Sequence, residues 1–180
     1  MNFQSTLIQE CFTFRPSHTS DARGSFLKIF HQKQFDLGGR SFRARESFLT
    51  TSGMGVIRGF HFQTPPEDLD KIVFCVSGKA YDVVVDLRKS SSSFTKVEVH
   101  HLDSQDPKGI WIPRGCAHGF QALEANTTLL YLCSKEYAPE HDSGIRWNTV
   151  PGVNWPVQNP ILSPRDSSFI PWSEFQSPFQ

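Results

Sequence analysis

The sequence predicts an all-β chain folded as a sandwich or barrel. Seven or eight short stretches, spaced roughly ten residues apart, are apolar or alternate apolar with polar, and turn signals separate them. Sixteen Phe, 12 Gly and 12 Pro in 180 residues suit strands and turns, whereas helical bundles favour Ala, Leu, Glu and Lys. Only residues 104–108 and the tail beyond about residue 155 carry even a weak helical pattern.

Residues 23–31, RGSFLKIFH, place a short apolar run after a Gly turn and read as a strand. Residues 55–62, GVIRGFHF, mix β-branched and aromatic side chains. Residues 71–76, KIVFCV, form a strongly apolar strand that stops at Ser77-Gly78, and residues 80–87, AYDVVVDL, are expected as its hairpin partner. The four serines from Ser90 to Ser93 read as a surface turn. Residues 95–101 alternate with one polar face, which puts His100 and His101 on opposite sides. Residues 109–113, 118–123 and 127–133 complete the strands. The tail from Val150 is Pro-rich and is expected to wrap as irregular coil, with a short helix near Pro164–Ser168.

Length and charge narrow the function. One domain over 1–180 is expected, its core at about 20–150 and a wrapping segment at 151–180. The 18 Lys+Arg balance 18 Asp+Glu, so no basic excess is available for nucleic acid or an anionic membrane. Apolar runs fall far short of the roughly 20 residues that span a membrane, and no signal peptide is read at the N-terminus. Cys11, Cys75, Cys116 and Cys133 are far apart with no CxxC, and read as reduced, buried thiols of a cytoplasmic protein.

Three patches could carry chemistry. In Arg58-Gly59-Phe60-His61-Phe62-Gln63, Arg and His stand three apart in an apolar strand, so sharing one face requires a bend, which Gly59 can supply. The alternatives are a buried His bonded to a carbonyl, or a base and an anion-binding Arg in one cavity. Second, residues 113–118 spell PxGxxH, the second half of the cupin jelly-roll signature, in which Pro and Gly shape a turn and His118 points inward; a plain hairpin with a surface His is the simpler reading. Third, Tyr131 lies inside the apolar strand LLYLC and needs a partner for its hydroxyl, with Tyr137 following in KEYAPE. A metal-binding cupin shows HxH and a later Glu. Here the pair reads His61-Phe62-Gln63, with Glu67 beyond, and no metal is expected.

With these residues in place, the chain resembles the dTDP-4-dehydrorhamnose 3,5-epimerase family over roughly residues 20–170. The resemblance rests on GVIRGFHFQ, DKIVFCVSGKAYDVVVDLRKSSSSF, IWIPRGCAHGF, LLYLCSKEYAPEHDSGIRWN and VNWPVQNPILSPRD. It implies a cupin-like double-stranded β-helix, or jelly roll, with short peripheral helices and an irregular C-terminal tail. It also implies a homodimer without cofactor, acting on a nucleotide-diphosphate 4-keto-6-deoxy sugar. A ketone at C4 acidifies the hydrogens on C3 and C5, so an epimerase needs a base on one face, an acid on the other and something to steady the enolate. The resemblance assigns His61 as base, Asp166 as its partner, Tyr131 as acid and Lys71 beside the C4 oxygen. It assigns Arg58 and Arg23 to the diphosphate, and Phe26, Gln63, His118, Tyr137 and Asp142 to the substrate pocket.

Two departures bear on the base. Lys28 stands where the family carries Glu, and Glu46-Ser47-Phe48 where it carries a QDN-type string. Lys only donates and a carboxylate only accepts, which suits cytosine better than thymine, so CDP stands beside dTDP as a candidate. In the family, N-terminal strands cross to the partner subunit, so Arg23 and Lys28 are expected to act in trans. The rival expectations are a single-centre epimerase or ketoisomerase, and a non-catalytic sugar-binding cupin.

Overall fold

The computed structural model describes residues 1–37 and 40–180. In chain order its strands are β1 Asn2–Ser5, β2 Phe12–Arg15, β3 Ser17–Asp21, β4 Gly24–Lys28, β5 Asp36–Leu37, β6 Arg40–Ser41, β7 Glu46–Ser52, β8 Ile57–Gln63, β9 Lys71–Ser77, β10 Lys79–Asp86, β11 Val97–Asp103, β12 Gly109–Ile112, β13 Cys116–Ala122, β14 Thr127–Cys133 and β15 Asp142–Gly144. A six-stranded sheet runs β1-β2-β12-β9-β14-β7, and a five-stranded sheet runs β11-β10-β13-β8-β15. Two short hairpins, β3–β4 and β5–β6, stand apart from both. The fold is the predicted all-β jelly roll.

Three apolar layers explain why the central strands read as unbroken hydrophobic runs. Between the sheets, Val73, Cys75 and Leu129 meet Ala80, Val84 and Phe120. On the outer side of the five-stranded sheet, Phe60, Phe62, Val83 and Val85 pack against Trp155 and Phe179 of the C-terminal tail. On the outer side of the six-stranded sheet, Phe14, Phe35, Phe42, Ile72 and Trp111 form an aromatic cluster. A strand covered on both faces loses its polar alternation. The tail therefore covers one face of that sheet, which is why a Pro-rich segment with little regular structure stays ordered.

Three sequence expectations are corrected. Residues 71–76 and 80–87 do not form a hairpin. β9 pairs with β12 and β14, whereas β10 pairs with β11 and β13, so the turn between them crosses from one sheet to the other. Gly78 makes that turn at φ +71°, where a Cβ would stand 2.7 Å from the Thr127 hydroxyl oxygen. Two adjacent apolar runs read alike whether they pair or stack face to face, so the pattern was blind to the crossover. The weakly helical stretch 104–108 is instead a turn, closed by a bridge from Asp103 to Asp106. Among the described residues fifteen strands replace the seven or eight expected; β3, SHTSD, is exposed along its length and has no apolar face to reveal it.

The short helix at Pro164–Ser168, here α1, forms where expected, with Pro164 in its first turn and the Ser163 hydroxyl accepting from the Asp166 N–H at 3.0 Å. All four cysteines are buried and unpaired. No helix among the described residues is long and apolar enough to cross a membrane.

Candidate active site

A cavity of about 230 Å³ opens between the two sheets, and β8 and β14 supply its facing walls. The bend expected at Gly59 exists. His118 of β13 stands opposite His61, and Phe120 opposite Arg58, so three steps along β8 match two along β13. The extra residue turns Arg58 and His61 toward the same cavity. Gly59 has φ +130°, and a Cβ there would meet the Gly119 Cα at 2.5 Å and the His118 carbonyl oxygen at 2.8 Å. Both neighbours are backbone. Gly59→Ala is therefore expected to lower stability by on the order of 3 kcal/mol and to displace His61. Thermal unfolding and activity at a temperature well below the variant's Tm check both parts.

His61 Nε2 lies 2.8 Å from Asp166 Oδ1, and Asp166 Oδ2 accepts from the Gly59 N–H at 3.2 Å. α1 holds the carboxylate through the Ser163 cap, and the Asp166 side chain is 5% exposed. Burial alone would raise the Asp166 pKa, but the His61 hydrogen bond and the Gly59 and Ser163 donors prevail and hold it below the usual carboxylate range. Burial lowers the His61 pKa, with Asp166 opposing and the positive charges of Lys71 and Arg165 assisting. At neutral pH the pair is a neutral imidazole bonded through Nε2 to a carboxylate. The Nδ1 lone pair is left free, which is the state of a general base.

Tyr131 comes from β14 in the opposite sheet. The residue is 6% exposed, and its ring stacks on Phe48 with centroids 4.7 Å apart and meets His118 in a T-shaped contact with centroids 6.0 Å apart. Burial, reinforced by the charge of Asp82, pushes its phenol pKa well up, so it stays protonated. Lys71, the first residue of β9, lines the same cavity and makes no ion pair among the described residues. Burial lowers its pKa, with Cys133 and Asp142 opposing. A cation with no fixed partner in a small cavity is placed for developing negative charge.

Of the other expected positions, Arg58 donates from Nε to the Ser52 hydroxyl at 3.1 Å and keeps part of its guanidinium toward the cavity. His118 is buried, with Nε2 2.7 Å from Asp82 Oδ2, so the inward His of PxGxxH is present. Tyr137 donates to Asp142 Oδ2 at 3.1 Å, and Arg165 pairs with the same carboxylate at 2.8 Å. Gln63 is spent on backbone: its amide donates to the Glu67 carbonyl at 2.8 Å and accepts from the Ala138 N–H at 2.8 Å. It braces two loops of the cavity wall. Glu67 turns to Lys135 at 3.6 Å, so it does not converge with His61. Glu46 lines the cavity from β7.

Arg23, Phe26 and Lys28 are not brought to the cavity within one chain. They lie on the β3–β4 hairpin, exposed, with Arg23 paired to Asp21 at 2.6 Å and the Lys28 ammonium 5.8 Å from the Phe26 ring centroid. Sequence reasoning missed Arg165 and Cys133 as cavity residues, and Asp82 behind His118. Asp82, an acid among five apolar neighbours in AYDVVVDL, carried a signal that went unused.

The family model for dTDP-4-dehydrorhamnose 3,5-epimerase matches residues 5–174. A dTDP-4-dehydrorhamnose 3,5-epimerase from Shigella flexneri is 38% identical over 168 residues, 92% of this chain and 93% of that protein. Among solved structures, a 4-keto-6-deoxy sugar epimerase from the novobiocin gene cluster of Streptomyces spheroides superposes with a TM-score of 0.91 at 34% identity, covering 97% of this chain and 88% of the other. A dTDP-6-deoxy-D-glucose-3,5-epimerase from Legionella pneumophila, in complex with dTDP-4-keto-L-rhamnose, superposes with a TM-score of 0.91 at 30% identity over 97% of this chain and 94% of that one. With fold, full-length similarity and family model in agreement, the chain belongs to the dTDP-4-dehydrorhamnose 3,5-epimerase family.

Proposed function

We propose that the chain inverts C3 and C5 of a nucleotide-linked 4-keto-6-deoxyhexose by proton removal on one face of the ring and proton return on the other. The observation that carries this reading is the placement of His61, with Asp166, on the five-stranded sheet and of Tyr131 on the six-stranded sheet, across one cavity. His61 takes the hydrogen from C3 or C5 as a proton. The C–H electron pair enters the C4 carbonyl, whose oxygen becomes an enolate held by Lys71. The electrons return to carbon, and Tyr131 delivers its proton to the opposite face. His61 ends protonated against Asp166, and Tyr131 ends as phenolate. Arg58 meets the diphosphate, and His118, Tyr137 and Asp142 shape the pocket.

Arg23, Phe26 and Lys28 then belong to a partner's site: a homodimer brings the exposed hairpin of one subunit over the cavity of the other. The work is cytoplasmic and supplies a deoxysugar for a surface polysaccharide or a glycosylated product. Glu46 makes no ion pair among the described residues and lines the cavity, which supports a second nucleotide, CDP, beside dTDP.

The test is incubation in D₂O with dTDP- and CDP-4-keto-6-deoxyglucose in parallel. Two deuterons, at C3 and C5, are expected. One would make this a single-centre enzyme, and none with either nucleotide would overturn the reading. The preferred nucleotide decides the role of Glu46.

The pH profile follows from the same groups. The base works only as neutral imidazole, and burial lowers its pKa. The kcat/KM value should therefore stay level through neutral pH and fall tenfold per unit only below a midpoint under about 6.5. Since Tyr131 titrates well above its ordinary value and Lys71 below its own, the alkaline limb belongs to Lys71. An acid midpoint above 7 would contradict the assignment of His61.

A further inference from the structure

Behind Tyr131 runs a line of buried titratable groups that the reaction above does not use. His118 touches the Tyr131 ring edge-on and binds Asp82 Oδ2 through Nε2 at 2.7 Å. Asp82 is wholly buried, yet its second oxygen, Oδ1, has no hydrogen-bond partner among the described residues. Directly across the β10–β11 ladder from Asp82 stands His100, on the same sheet face. His100 is 6% exposed and its Nε2 also has no partner, Glu98 Oε1 being 3.7 Å away. Two polar side chains with orphaned atoms, facing each other across one ladder in the interior, are costly unless they serve something.

His100 also lines a second cavity, of about 460 Å³, with Asn2, Thr13, Arg15, Glu98 and Lys108. That cavity shares no residue with the first. The line His118–Asp82–His100 therefore joins the wall of the catalytic cavity to a separate polar opening.

We propose that Asp82 and His100, with His118, form a rear proton route that recharges Tyr131 from the second cavity while substrate fills the first. The inference rests on Tyr131 acting as the acid. After one inversion Tyr131 is a phenolate, and a second inversion in the same encounter needs its proton restored. The ring is stacked under Phe48, and a sugar filling the cavity would close the front. On the rear route, the phenolate oxygen takes a proton from His118 through a water in the cavity that both line, His118 takes one from Asp82 across their 2.7 Å contact, and Asp82 takes one from His100, directly or through one water. His100 then takes its proton from solvent in the second cavity. Each hop breaks one bond to hydrogen and forms another, and the net change is one proton moved to the phenolate. Burial holds His100 below the usual imidazole value, against the charges of Asp82 and Glu98, so it hands a proton on rather than retaining it.

The experiment compares wild type with His100→Ala and His100→Gln under single turnover in D₂O. Deuterium entry at the first centre should stay within about twofold of wild type. The ratio of doubly to singly inverted sugar should fall by on the order of tenfold, and steady-state kcat with it, at unchanged KM. Imidazole added to His100→Ala should restore the ratio by entering the vacated side of the second cavity, and should leave wild type unchanged. A wild-type product ratio in both variants would overturn the route. So would a loss that tracks a fallen Tm and that imidazole does not mend. Absence of first-centre exchange in wild type would instead strike the acid–base reading itself.

Discussion

Replacing His61 by Asn should lower kcat by about a thousandfold and leave KM nearly unchanged. The imidazole lines the cavity with one nitrogen held by a carboxylate, through the 2.8 Å contact with Asp166, and the other free. Asn occupies part of the same space, but its amide cannot accept a proton. The loss should appear both in inversion and in hydrogen exchange with solvent, since both begin with the same bond breaking. The side chain lines a cavity and is 27% exposed, so the Tm should move only slightly. Equal exchange rates in the variant and the wild type would place the base elsewhere.

Replacing Tyr131 by Phe should separate the two halves of the reaction. The phenyl ring keeps its stack on Phe48 and its contact with His118, so packing is preserved. Only the hydroxyl is lost. Inversion should fall by about 10²–10³-fold. Exchange at C3 or C5 should continue at a substantial fraction of the wild-type rate, because His61 still makes the enolate and returns a solvent-equilibrated proton to the face it came from. A parallel fall in inversion and exchange would mean that the phenol acts before the enolate, as an electrophile at the C4 oxygen rather than as the distal acid.

The residues that sequence alone exposed were polar side chains in apolar strands. His61, Arg58, Tyr131 and His118 each interrupt a run that packing would otherwise fill with hydrocarbon, and each reaches the cavity. The bend at Gly59 was legible for the same reason, since Arg and His three apart cannot share a face of a regular strand. Asp166 was different: nothing in LSPRD marks it except the family resemblance, because its meeting with His61 is a contact across 105 residues. Strand pairing was the least legible. Covered on both faces, β9 and β10 lose the alternation that shows which side a strand presents, and their shared turn reads the same in a hairpin and in a crossover. The exposed β3 fails for the opposite cause, having no buried face. Arg23, Phe26 and Lys28 show a third limit, since the hairpin that carries them is exposed and does not reach the cavity of its own chain.

The central claim is that base and acid stand on opposite faces, so that a hydrogen removed by His61 is not the one returned. Single turnover with enzyme in excess in D₂O, quenched before exchange of free sugar, tests it most directly. Every inverted centre should carry one deuteron, while recovered substrate of the original configuration stays largely unlabelled at early times. Inverted centres that keep the substrate's own hydrogen would contradict two-face transfer and reduce the site to a single base that carries the proton around the ring.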